Sequence, residues 1–358
     1  MPVPEEPKPG ARGRQQAEVF GLKIGNVNIR PGQEYTINIP VAKLYTHTEM
    51  TMPVHILSGK KDGPRLFVSA AIHGDEILGV EIIRRLLKLK VLKRLRGVLL
   101  TVPIVNVYGF IHNSRYSPDR RDLNRFFPGS PKGSLTSQLA NIFMQEIVAN
   151  STHGIDLHAG SNHRINLPQI RASLADPETK RLASDFGAPV IIDANIRDGS
   201  LRQAVSEMGI PMLLYEAGEA LRFDEVAVRA GTKGILSLMR SIEMLPKTSV
   251  RPARIKPLIA SSTTWMRAPV SGILNSKVSL GSRIKKNAKI GEIADPFGGH
   301  ETEVMAKAAG IVIGRLNLPL VHEGDALFHI AEFDSPDSAK ETIQDFQEEF
   351  DPKALTNL

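Results

Sequence analysis

The sequence predicts an α/β fold, a mixed, mostly parallel sheet flanked by helices, followed by a smaller all-β unit. Two observations predict it. Between residues 65 and 243, short continuous apolar runs alternate with longer segments whose apolar residues recur at helical spacing, as in parallel strands joined by crossover helices. After residue 250 the helical spacing stops, and short strand-like segments punctuated by Gly and Pro take over.

Taken in order, residues 1–16 (MPVPEEPKPGARGRQQ) are rich in Pro, Gly and charge and lack an apolar signal core, so a disordered arm is expected. Residues 17–60 carry alternating stretches such as YTINIPVAKL and MPVHIL, expected as a meander or sheet edge. RLFVSAAI (65–72) reads as a buried strand and ILGVEIIRRLLKLKVLKRL (77–95) as a helix. VLLTVPIV (98–105) is the next strand, SLTSQLANIFMQEIVA (134–149) a helix, and GIDLHAG (154–160) a strand running into a loop that continues as SNHRINLPQIR. APVIID (188–193), a helix around LRQAVSEMG, the strand PMLLYE (211–216) and a helix within 222–243 complete an α/β domain placed at 17–250. An all-β domain is placed at 251–335, where APVSGIL and AKAAGIV resemble two halves of an internal repeat. Residues 336–358 are acidic and are expected as a short helix or tail.

Composition narrows the function classes. No run of about 18 apolar residues is present to span a membrane, and the 23% charged content is that of a soluble globular chain. Cysteine is absent, which excludes disulfides and thiolate ligands, suits a cytoplasmic protein, and leaves imidazole and carboxylate to hold any transition metal. The net charge of +7 is partly local, in KLKVLKRLR (88–96) and RIKK (283–286). Aromatic residues are not interleaved with these runs, so neither nucleic acid nor membrane is an expected partner. The basic excess suits an anionic small molecule.

The chemistry gathers at strand ends. His73-Gly74-Asp75-Glu76 follows the strand at 65–72, and His158 closes GIDLH, at the sheet edge where such folds place ligands. Two imidazoles and one carboxylate match an open, catalytic zinc site rather than a closed structural one. Glu216 ends the apolar strand PMLLYE and is the candidate general acid/base, with Glu219 its nearby competitor. Asp156 is placed to orient a ligand imidazole. The segment NSRYSPDRRDLNRFFPG offers Asn124 and Arg125 for a substrate carboxylate. One of Arg115, Arg120 and Arg121 is expected on the developing oxyanion; the sequence leaves open which. Arg164 and Asn166, in the loop of His163, are further candidate substrate contacts, while His153, His163, His300, His322 and His329 read as hydrogen-bonded loop or barrel residues rather than metal ligands.

Four segments, HGDE, RDLNRFFPG after an Arg-Tyr pair, DLHAG and YEAGE, occur in this order over roughly residues 40–245 and resemble the succinylglutamate desuccinylase and aspartoacylase family, a branch of the zinc carboxypeptidase superfamily. The resemblance implies a zinc-carboxypeptidase-like sheet, one zinc ion per chain on His73, Glu76 and His158, Asn124 and Arg125 as carboxylate clamp, and Glu216 as general base. It implies Arg115 as the group polarising the scissile carbonyl, although the spacing to Asn124 is longer than in aspartoacylase proper and leaves Arg120 and Arg121 open. The implied activity is deacylation of an N-acyl amino acid, with trimming of a peptide C-terminus by a carboxypeptidase as the alternative. A homo-oligomer is compatible with it. The C-terminal segment resembles the barrel-sandwich domain carried by bacterial members, similar to biotinyl and lipoyl domains. Its Lys307 stands two places after Met305, so no prosthetic group is expected, and a lid or oligomer contact over the zinc cleft is.

Overall fold

The computed structural model describes residues 21–161, 163–194, 197–247 and 256–350; the expected arm at 1–16, the domain boundary at 250/251 and the last eight residues lie outside them. The first long strands are β1 (Glu34–Lys43) and β2 (Glu49–Ser58), an antiparallel pair at the sheet edge. β3 (Arg65–Ala70) follows, almost wholly buried, and then α1 (Leu78–Leu87), whose Leu78, Ile82, Ile83 and Leu86 form the stripe that packs on the sheet. The apolar spacing that predicts one helix over 77–95 is split: after Leu87 the chain tightens into a 3-10 turn at Lys90–Arg94.

β4 (Val98–Val102), α2 (Leu135–Glu146) and β5 (His153–Gly160) continue the alternation. β6 (Arg164–Ala172) then occupies much of the stretch expected as a loop. α3 (Pro177–Phe186) starts on Asp176, whose carboxylate accepts from Thr179 N–H, with Pro at the first turn. β7 (Val190–Asp193), α4 (Leu201–Glu207), β8 (Met212–Glu219) and α5 (Glu225–Ser241) follow.

The C-terminal part is β structure: β9 (Leu258–Ala260), which pairs in parallel with β7, and then the antiparallel strands β10 (Ser262–Arg267), β11 (Gly272–Ser276), β12 (Lys289–Ala294), β13 (Glu301–Met305), β14 (Gly310–Leu316) and β15 (Ala326–Glu332). The acidic stretch after it forms α6 (Pro336–Phe350), longer than expected because Ala339, Ile343, Phe346 and Phe350 make one buried stripe.

The main sheet runs β10-β15-β14-β6-β8-β5-β3-β4-β2-β1. Its centre, β8-β5-β3-β4, is parallel, while both flanks are antiparallel, so the sheet is mixed. One apolar core lies under α1, α3 and α5, and a second lies on the side of α2 and α4. The C-terminal strands are not a separate lid. β14 hydrogen-bonds directly to β6, so the C-terminal β structure extends the sheet that carries the site.

Candidate active site

The site forms at the carboxyl ends of the parallel strands, where the chain leaves the sheet and polar side chains reach solvent. Beyond β3, Ala71 adopts φ 52°, a left-handed conformation unusual for a residue with a Cβ, and the chain turns into the His73 loop. Gly74 is required there, because a Cβ would stand 1.9 Å from the Gly109 carbonyl carbon. His158 lies on β5 and Glu216 on β8 as register partners, so both side chains rise from the same face of adjacent strands.

His73, Glu76 and His158 are buried, and one ligand atom from each lies within 4.8 Å of the others. Glu76 bridges the rings, with Oε1 at 2.7 Å from His73 Nδ1 and Oε2 at 2.8 Å from His158 Nδ1. The far nitrogens are also held by carboxylates: His158 Nε2 donates to Asp156 at 2.6 Å, and His73 Nε2 to Asp122 at 3.1 Å. Ser69 Oγ in turn donates to Asp156 at 2.7 Å. Because a carboxylate only accepts, these contacts place a proton on each Nε2 and turn each Nδ1 inward.

Burial disfavours charge on these rings, yet the facing carboxylates win: His73 is raised above the ordinary imidazole value by Glu76 and Asp122, and His158 well above it by Asp156 and Glu76. Burial likewise opposes ionisation of Glu76, but the two imidazoles hold it well below the usual carboxylate range. The Arg115 guanidinium adds positive charge at the same point, its Nη1 3.2 Å from His73 Nδ1. Two imidazoles and one carboxylate, buried and converging, are a donor set that fits a divalent cation.

Arg115 Nη1 lies 3.2 Å from Glu76 and Nη2 3.0 Å from Asp122, bringing this arginine into the cleft. Arg121 instead pairs with Asp119 at 3.3 Å, and neither it nor Arg120 lines the cleft. Asn124 Oδ1 accepts from Leu201 N–H at 2.9 Å, which fixes the amide and leaves its nitrogen as the donor for the cleft; Arg125 lines the same wall. Glu216 accepts from Asn166 Nδ2 at 2.8 Å and lies 3.5 Å from Arg171.

Asn166 and Arg164, expected on substrate, do not line the cleft. Asn166 is spent on Glu216, and Arg164 sits with its guanidinium 5.7 Å from the Trp265 ring. His163 is 4.0 Å from Glu219, and Glu219 accepts from Asn317 at 2.8 Å, away from the metal residues.

The cleft has a volume of about 230 Å³, and sequence reasoning misses several of its walls: Arg171, Arg197, Ser200, Arg202 and Trp265. Burial and then Arg171 and Arg197 push Arg202 down to about 10; partial burial and then Arg125 and Arg171 lower Arg197. Mutual repulsion of this kind marks a surface arranged for an anion.

Comparison with known proteins agrees. Residues 62–242 match the family model described as the succinylglutamate desuccinylase/aspartoacylase catalytic domain. The chain belongs to the succinylglutamate desuccinylase/aspartoacylase family. As a member of that family it is a hydrolytic enzyme. It is 26% identical over 293 residues to the N-alpha-acetyl-L-2,4-diaminobutyric acid deacetylase of Halomonas elongata, covering 78% of this chain and 85% of the relative. In fold it is similar to the product-bound ectoine utilization protein EutE of Ruegeria pomeroyi, with TM-score 0.76 and 22% identity over 85% of this chain and 96% of that one. A succinylglutamate desuccinylase/aspartoacylase of Rhodobacter sphaeroides gives TM-score 0.75 and 24% identity over 85% and 97%. Among the described residues no helix is long and apolar enough to cross a membrane.

Proposed function

We propose that this enzyme hydrolyses the amide bond of an N-acyl amino acid with one zinc ion held by His73 Nδ1, Glu76 and His158 Nδ1. The observation that carries the proposal is the single cleft that joins the His-Glu-His cluster, the Glu216 carboxylate and a wall of arginines. When bound, zinc lowers the pKa of a coordinated water to about 7 and polarises a carbonyl.

The remaining work falls to the chain. Glu216, held by Asn166 and Arg171, takes a proton from the attacking water and passes it to the amide nitrogen as the C–N bond breaks, releasing a carboxylate and a free amine. Arg115 donates to the carbonyl oxygen as it gains charge. Asn124 and Arg125 hold the carboxylate of the amino acid. The small volume supports an acyl amino acid over a peptide, because pockets for drug-sized ligands run to about 300–1,000 Å³. The family and the deacetylase relative support the same reading.

The test is release of free amino acid from N-acetyl, N-formyl and N-succinyl amino acids and from C-terminal dipeptides, comparing wild type with Glu216→Gln. Loss of about 10²-fold or more in kcat with one zinc still bound is expected for the variant. Cleavage of dipeptides alone would replace deacylation by carboxypeptidase action, and an undiminished variant would remove Glu216 from its role.

A further inference from the structure

Register places one row of residues across the sheet. Gly218 on β8 is opposite Asn166 on β6, Asn166 is opposite Gly314 on β14, Gly314 is opposite His329 on β15, and His329 is opposite Trp265 on β10. Residues in one row of neighbouring strands share a face. Gly314 contributes no side chain, so its neighbours close over it: the Cβ it lacks would lie 2.6 Å from Asn166 Oδ1 and 3.2 Å from the His329 Cβ. Beyond this gap the His329 ring stacks on the Trp265 indole, with centroids 4.5 Å apart and planes 3° from parallel. The Arg164 guanidinium lies over the same indole, 5.7 Å from its centroid.

The indole is thus pinned, and it lines the catalytic cleft. The other lining side chains are mostly charged or polar; Ala159 and Leu214 are the apolar exceptions, and neither offers an extended flat surface. A hydrocarbon segment of the substrate has one large apolar side chain in the lining to meet, the Trp265 indole. His329 is nearly inaccessible and stays neutral, its pKa pushed down to about 3 by burial and then by the Arg171 charge, so the backing of the indole does not change across ordinary pH.

We infer that Trp265, supplied by the C-terminal β structure, is a specificity-determining residue, and that the part of its indole lining the cleft receives the saturated hydrocarbon segment of the substrate. The inference rests on the N-acyl amino acid reading. The hydrocarbon has two sources, the acyl chain or the amino-acid side chain, and both present the same surface to the ring. The C-terminal strands then act as a fixed wall of the site rather than as a swinging lid, because β14 is hydrogen-bonded to β6 along the row that also steadies Glu216.

Trp265 is the sole tryptophan of the chain, so its emission reports on this cleft without any labelling. The full-length, metal-free protein is titrated with N-acetyl-, N-butyryl- and N-hexanoylglycine in one arm and with N-acetylglycine, N-acetylalanine and N-acetylleucine in the other. Affinities are read in parallel by calorimetry for wild type, Trp265→Phe and Trp265→Ala. The expected result is a saturable emission change that grows along one of the two series, which identifies the source of the hydrocarbon. Trp265→Ala should shrink the longest-to-shortest affinity ratio of that series by about tenfold or more, the scale of one or two methylenes in a fitted pocket, and Trp265→Phe should retain most of it. Emission indifferent to every probe, or an affinity ratio in Trp265→Ala within twofold of wild type, overturns the inference. Should Trp265→Ala fail to fold, the wild-type titration and the Phe variant still decide. Binding with an emission change but no hydrolysis by the zinc-loaded protein would sink the N-acyl amino acid reading while leaving the contact to Trp265 in place.

Discussion

Gly314→Ala puts one methyl group where two side chains already meet. The new Cβ would lie 2.6 Å from Asn166 Oδ1, well inside contact distance, and 3.2 Å from His329 Cβ. His329 has little room to withdraw, since its ring is stacked on Trp265 and only 3% of the residue is exposed. Asn166 must therefore move, and its amide is the donor that holds Glu216 Oε1 at 2.8 Å. Overpacking of this kind costs about 1–3 kcal/mol of stability. A hydrogen bond to a charged group contributes about 1.5–3 kcal/mol; if that much is lost in the transition state, kcat falls by roughly 10- to 100-fold. The metal residues sit on β5 and on the loop after β3, outside the row, so zinc content should stay at the wild-type level. Denaturant midpoint, kcat, KM and metal content are measured together. A variant with wild-type kcat and an unchanged midpoint would show that Asn166 has room to spare and that the row does not steady Glu216.

Two further outcomes follow from charge. In the metal-free protein both Nδ1 atoms face Glu76 and the two imidazole pKa values are raised, so zinc must displace protons. Calorimetry in buffers of different ionisation enthalpy should find about two protons released near pH 6 and fewer as pH rises, with zinc affinity falling on acidification; release of none would mean the rings are already neutral. His329 has a folded pKa of about 3 against about 6.5 unfolded, so the stability it contributes is present above pH 6.5 and is lost as pH falls toward 3. Between pH 7 and 5 the wild type should lose about 2 kcal/mol more than His329→Phe, which keeps a ring against Trp265, and equal losses in urea titrations would contradict a buried neutral imidazole.

Much of the site was legible because its residues stand at strand ends. Runs such as RLFVSAAI and PMLLYE announce buried strands, and a polar residue that closes such a run, as Glu216 does, is conspicuous. β6 was not legible, since Pro168 and the polar residues around it argue for a loop. The structure explains the tolerance. Residues 164–166 of β6 pair with β14, residues 169–172 pair with β7, and Pro168 falls where the outer partner changes, so the missing N–H leaves no rung broken. With β6 read as a loop, Arg171 has no place beside Glu216, and Asn166 is expected on substrate instead of on the Glu216 carboxylate. Asp122 lies inside the RDLNR segment, but its role depends on His73, 49 residues earlier, and only the folded chain shows that contact.

The same row explains why the C-terminal strands belong to the chemistry. A cap joined only by a linker could open and close without disturbing the residues beneath it. Here, β14 completes the hydrogen bonding of β6, and β6 carries both Asn166 and Arg171, the two side chains on Glu216. Detaching β14 would expose the edge of β6 and loosen the support of Glu216 as well as remove Trp265 from the cleft. The proposed roles of Trp265 and Glu216 therefore rest on one structural element. Substitutions on β14 that leave every cleft-lining residue unchanged should alter kcat and substrate preference together, as two rigid consequences of one strand pairing.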